Sequence, residues 1–203
     1  WRCWNGRSRD YSVTSQQGAR MKGTVIGVDP GLAGALAVLD LASGEVVNIE
    51  DMPTMQILTR SKKQVNRIDK VALHGFFEMQ QMLGCRMVLM ELMAGRKGQG
   101  ADAGMQLGLG VGLMQGMCIA MKIPFDEVSP SVWKREYGVP GKLVDGKASK
   151  AADTAIVKRA DELLPSARDF FRGPKGGLQV DRAEAAMIAK YCAERVLNIK
   201  PEG

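Results

Sequence analysis

The chain has 203 residues, 45% of them apolar and 25% charged. That is enough for one domain, two at most, with a real core, and it excludes a mainly disordered chain. Cys3, Cys85, Cys118 and Cys192 are scattered without a C-x-x-C, and His74 is the single histidine. A disulfide scaffold, a zinc ribbon and a histidine-rich metal site are therefore excluded, and a reducing compartment is expected. The net charge is +6, of which residues 1–20 hold +3 (Arg2, Arg7, Arg9 and Arg20 against Asp10). Beyond the tail, Lys134, Arg135, Lys142, Lys147, Lys150, Lys158 and Arg159 are broken by Glu136, Asp145 and Asp153. Only a local patch, not the net charge, would argue for nucleic acid.

Residues 1–20 show neither a strand nor a helix period, and are Arg- and Ser-rich. They read as a tail, a tag, upstream reading frame or the remnant of a transit peptide, leaving 21–203 as the folded domain. From residue 24 the pattern is clear. TVIGVD is a β-branched apolar strand ending in Asp29, broken by Pro30-Gly31. Residues 34–40 and 45–50 read as two more strands, giving an antiparallel meander. Residues 71–83 have a helical period, with Gly84 as a stop and His74 half-buried on the amphipathic face. Residues 87–91 form a buried strand ending in Glu91. A helix over 102–121, a strand over 124–128 and a helix started by Ser129-Pro130 follow. The last two helices are expected over 147–164 and 181–197. Three strands and then alternating helix and strand make an α/β domain with a mixed sheet.

The chemistry lies in carboxylates. Asp29 and Glu91 each close an apolar strand, where a sheet holds a side chain rigidly at its edge. Asp29 also fits turn chemistry, since Asp-Pro-Gly favours turns, and Glu91 also fits a strand-end acid leaning into solvent. Asp181 and Glu184, three apart in a helix, share one face, about 5–6 Å apart at Cβ. They also fit a first turn that complements the helix dipole. Four carboxylates on three elements, without sulfur or imidazole, suit hard divalent cations. Two such ions assist phosphodiester hydrolysis without a protein nucleophile.

Val25-Ile-Gly-Val-Asp29-Pro-Gly, Leu89-Met-Glu91 and Asp181-Arg-Ala-Glu184-Ala-Ala-Met-Ile-Ala resemble, in order and spacing, the active-site blocks of RuvC-type Holliday-junction resolvases. The resemblance runs from about residue 24 to the end. It also takes in the glycine-rich run from Gly104 to Gly112, Lys134 in Ser131-Val-Trp-Lys, and Lys150 in Lys150-Ala-Ala-Asp. It implies an RNase H-like fold and a homodimeric, Mg2+-dependent endonuclease, with Mn2+ as a substitute, that cuts four-way DNA junctions. Asp29, Glu91, Asp181 and Glu184 would be metal ligands, and Lys134 and Lys150 would hold phosphate at the scissile bond. Arg96, Lys97, Arg135, Lys147 and Arg182 would add to the DNA contact. The family's cell location implies a cytoplasmic protein, or a chloroplast one. Glu184 departs from the aspartate usual in bacterial members and is similar to the plastid and some phage branches. Residues 92–99 lack the family's junction-wedging aromatic, leaving Met93 and Gln99 as candidates.

Gly100, Gly104, Gly108, Gly112 and Gly116 recur every fourth residue. Each interior glycine costs about 0.5–1 kcal/mol relative to alanine, so close packing is expected to offset it, against the sheet and against a dimer partner. Asp102, Gln106 and Gln115 interrupt the run, which argues against a membrane span. Two other readings stand beside the nuclease. One is a non-catalytic junction-binding protein with acids as caps. The other is an actin-like phosphotransferase, which needs two similar halves where the sequence shows no repeat.

Overall fold

Val25 and Ile26 are neighbours in the chain but lie in different cores, because successive side chains of a strand point to opposite faces. A computed structural model of the chain describes residues 23–93, 100–140, 143–144, 147–148 and 150–199. In chain order the elements are β1 (Thr24–Asp29), β2 (Ala35–Asp40), β3 (Val46–Asp51), β4 (Thr54–Leu58), β5 (Gln64–Ile68), α1 (Lys70–Met82), β6 (Cys85–Glu91), α2 (Ala101–Ala120) and β7 (Phe125–Val128). They continue with α3 (Pro130–Glu136), β8 (Leu143–Val144), β9 (Lys147–Ala148), α4 (Lys150–Leu163), a 3-10 turn (Pro165–Phe171), α5 (Val180–Tyr191) and a π turn (Cys192–Val196). The main sheet has the order β3-β2-β1-β6-β7. β2 is antiparallel to β1 and β3, whereas β6 runs parallel to β1 and β7. This is the expected mixed sheet flanked by helices. Among the described residues it is single and unrepeated, unlike the paired halves a phosphotransferase needs.

On one face Val25, Ala35, Ala37, Leu39, Met87 and Leu89 pack under α4 and α5. On the other, Ile26, Val28, Leu36, Val38, Val88 and Met90 pack under α1 and α2. Alternation along β1 therefore places Val25, Gly27 and Asp29 on the α5 side, and along β6 it places Met87, Leu89 and Glu91 there too. Gly27 lets α5 come close. A Cβ at that position would lie 2.2 Å from both the Ala185 carbonyl oxygen and the Ala189 nitrogen.

Several expectations are adjusted. The β4–β5 hairpin has no counterpart in the sequence reading. His74 is exposed on α1 rather than half-buried. The helix expected from residue 147 starts at Lys150, because Lys147 and Ala148 pair with Val144 and Leu143. The α2 glycines do not pack on the sheet: a Cβ at Gly104, Gly108, Gly112 or Gly116 would meet nothing within 4 Å. Their face is open, while Gly110, Met114, Met117 and Cys118 form the buried side. By length and composition α2 is apolar enough to cross a membrane. It links β6 to β7, parallel neighbours in one sheet, and its buried side packs on that sheet, so the fold holds it there.

Candidate metal centre

Three features bring the acids together. Val28 pairs with Met90, so Asp29 and Glu91 are the next residues at adjacent ends of parallel strands. Alternation turns both toward the α5 face. The apolar side of α5, Ala183, Ala185, Ala186 and Ala189, is fully buried on that face, which sets its first turn over the strand ends. As a result one carboxylate oxygen from each of Asp29, Asp181 and Glu184 lies within 4.8 Å of the others. Asp29 and Glu184 are buried and Asp181 is half-buried. Asp181 does lie in the first turn of α5, where it complements the helix dipole, but the N-cap is Gln179, without a side-chain cap hydrogen bond.

Glu91 is not one of this trio. Its carboxylate is buried, and its Oε2 accepts a hydrogen bond from Trp133 Nε1 at 3.0 Å. Trp133 is fully buried on α3, so its indole ties Glu91 to the core. Nothing local in the sequence points from Trp133 to a partner 42 positions away.

Lys134 brings a cation to the site. It is only 8% exposed, its Nζ sits 2.6 Å from Glu184 Oε1, and it lies 5.0 Å from the centre of the Trp133 ring. A buried ammonium needs such a partner. The trio carries a formal charge of −3, of which the Lys134 ion pair offsets one unit. Crowded anionic oxygen donors match a hard divalent cation, and the trio offers a soft metal no sulfur or nitrogen ligand. Cys85 and Cys118 do not enter: burial pushes the Cys85 thiol up to about 11 and the Cys118 thiol up to about 12.

A cavity of about 450 Å³ opens beside Asp29 and Asp181. Its walls are the 30–34 loop, Met93, the α2 face from Ala103 to Met114, and Arg67-Ile68 of β5. The loop is tight, with Gly34 donating to the Gly31 carbonyl at 3.2 Å. A Cβ on Gly34 would fall 1.9 Å from the Asp29 carbonyl oxygen.

The other basic residues are dispersed. Arg135 on α3 and Lys150 at the start of α4 are exposed. Arg182 is committed within the protein: Nε and Nη2 donate to Asp51 Oδ1 and Oδ2 at 2.6 and 2.7 Å. Those hydrogen bonds, more than charge alone, hold the Asp51 carboxyl below its ordinary range. Arg96, Lys97 and Gln99, and the side chain of Lys147, lie outside the described residues.

Comparison with protein-family models and with curated proteins finds no match in sequence. Comparison with solved structures does. The T. thermophilus RuvC in complex with Holliday junction substrate is similar over 87% of this chain and 97% of that chain, with a TM-score of 0.53 at 12% identity. A second Thermus thermophilus RuvC structure covers the same shares at 12% identity, with a TM-score of 0.46. The mixed sheet, its helices and the overlap with the junction-bound structure show that this chain has a RuvC-like, RNase H-like fold.

Proposed function

We propose that the chain is a divalent-metal-dependent endodeoxyribonuclease that resolves four-way DNA junctions. The observation that carries this is the convergence of Asp29, Asp181 and Glu184 oxygens within 4.8 Å. The structural neighbour bound to a Holliday junction supplies the substrate class. Asp29, Asp181 and Glu184 would hold the ion, with Glu91, fixed by Trp133, as the next oxygen donor. Magnesium, or manganese in its place, would supply activation of water and neutralisation of charge at the leaving 3′-oxygen.

The chain's own groups do the rest. Lys134 keeps a positive charge beside Glu184, where a scissile phosphate would be presented. Lys150 would join it in holding phosphate at the scissile bond, and exposed Arg135 would add a DNA contact, as would Arg96, Lys97 and Lys147. Arg182, held by Asp51, serves as the anchor of the α5 first turn against β3. We also propose that the chain works as a homodimer through the open glycine face of α2, since a four-way junction presents two strands for paired cuts.

The test is a synthetic four-way junction incubated with Mg2+ or Mn2+, alongside Asp29→Asn. Losing one carboxylate removes several kcal/mol of charge stabilisation, so the variant should be slower by about a thousandfold or more. Nicked products from the parent alone support the reading. Cleavage no greater than that of the variant overturns it, and binding without cleavage in either ion favours a non-catalytic junction binder.

A further inference from the structure

Tyr137 caps the C-terminal end of α3 and is buried. Its hydroxyl donates to Glu194 Oε2 at 3.0 Å. The other oxygen of Glu194 pairs with Lys190 Nζ at 2.8 Å, so the carboxylate is held from both sides. Burial first, and then the Glu194 charge, push the Tyr137 pKa up, which keeps the hydroxyl a donor. The Tyr137 ring meets the Tyr191 ring edge-on, with centroids 6.4 Å apart. Its backbone carbonyl accepts from Arg159 Nε of α4 at 2.9 Å. Glu136 also pairs with Arg195, but that pair is exposed to solvent, where ion pairs contribute little.

These contacts bear on the metal centre through α3. The helix has seven residues, and isolated helices shorter than about 12–15 residues are marginal in water. Its N-cap, Ser129, makes no side-chain cap hydrogen bond. What grips α3 therefore sets its orientation. Lys134 reaches Glu184 near the start of α5, and Tyr137 reaches Glu194 in the π turn that follows α5. Glu184 and Glu194 are ten residues apart in the sequence, about 15 Å along a helix axis. Two attachments that far apart fix a direction, whereas the first alone holds α3 only at the metal centre. The turn that carries Glu194 is itself unusual. Leu197 N donates to the Cys192 carbonyl at 2.9 Å, five residues back, and such π turns are rare and frequent at functional sites.

We propose that Glu194 is a positioning residue for the metal centre: through Tyr137 it fixes how α3 lies on α5, and so where Lys134 and Trp133 hold Glu184 and Glu91. This rests on the nuclease reading. Glu194 touches neither ion nor DNA in this role, and its effect reaches the carboxylates through α3.

The experiment compares the parent with Tyr137→Phe, which keeps the ring and loses the hydroxyl, and with Glu194→Ala, which loses the acceptor. Mn2+ binding to the DNA-free chain is measured by electron paramagnetic resonance. Single-turnover cleavage of a four-way junction is measured at saturating enzyme and Mn2+. Each variant should bind Mn2+ about tenfold more weakly, the lower end of what losing a group that orients metal ligands costs. Each should also cut about tenfold more slowly, less than the about hundredfold cost of a displacement of about 1 Å. Junction affinity without divalent ion should match the parent's. The two residues act as one unit, so Tyr137→Phe/Glu194→Ala should be no worse than either alone. Lys190→Ala/Glu194→Gln removes the ion pair but keeps an oxygen for the hydroxyl, and should restore parent-like Mn2+ affinity and rate. If Glu194→Ala fails to fold, Tyr137→Phe carries the test. Parent-like Mn2+ affinity and rate in Tyr137→Phe, whatever its urea midpoint, make the contact merely structural and overturn the proposal. Failure of the glutamine variant to restore them overturns it too. A parent that binds Mn2+ but never cuts overturns the nuclease reading, while the Mn2+ affinities still judge Glu194. A parent that binds no Mn2+ overturns both.

Discussion

Glu91 and Trp133 show how one contact ties a metal-ligand candidate to the core. The indole Nε1 donates to Glu91 Oε2 at 3.0 Å, and both residues are buried. A buried carboxylate stripped of a donor bears a desolvation penalty of about 1–3 kcal/mol. Trp133→Phe keeps an aromatic ring in place and removes that donor. It should lower stability by about that amount in urea denaturation. It should also shift metal activation of cleavage to higher Mn2+ concentration while leaving junction affinity intact, because Glu91 would no longer be aimed. A variant with the parent's stability and metal dependence would show that the contact has no part in positioning. Lys134, one residue on, pairs with Glu184, so two successive residues of α3 hold two of the site's carboxylates.

At the scale of elements, the site depends on how closely α5 lies on β1. Gly27 is the reason it can lie there, with backbone atoms of Ala185 and Ala189 only 2.2 Å from where a Cβ would stand. No rotamer change relieves a clash between a Cβ and backbone. Gly27→Ala should therefore destabilise by about 3 kcal/mol, the upper part of the overpacking range, read as a lower urea midpoint. It should also slow cleavage by about a hundredfold, since a displacement of about 1 Å between catalytic groups has that effect. Asp181 and Glu184 ride on the helix that must move. A parent-like midpoint and rate would mean that the α5 position does not set the geometry. The strands ending in Asp29 and Glu91 were legible because apolar runs closed by an acid are local signals, and so was the Asp181–Glu184 spacing. The hairpin was not: β4 is exposed on both faces, so it carries no buried period to read. The Trp133–Glu91 and Lys134–Glu184 contacts were hidden for another reason. They join residues that only the tertiary fold makes neighbours.

For the whole molecule, the dimer proposed above rests on the open face of α2. Four glycines at intervals of four face empty space, beside exposed Met105 and Leu109. Each glycine weakens the helix by about 0.8–1.0 kcal/mol relative to alanine, and nothing among the described residues offsets this on that face. A second α2 laid along the stripe would, because the absence of Cβ atoms lets two backbones approach and pack. The expected parent is a dimer by light scattering. Gly108→Leu should be a monomer, since four side-chain carbons at the centre of the stripe hold the helices apart. The substitution cannot fail by crowding its own chain, as the position is open, and leucine raises helix propensity. Thermal unfolding of the monomer should thus still be cooperative, while paired nicking of a four-way junction should give way to single nicks. A monomeric parent, or a dimer that survives Gly108→Leu, would remove α2 as the joining face and leave the stripe without this physical reason.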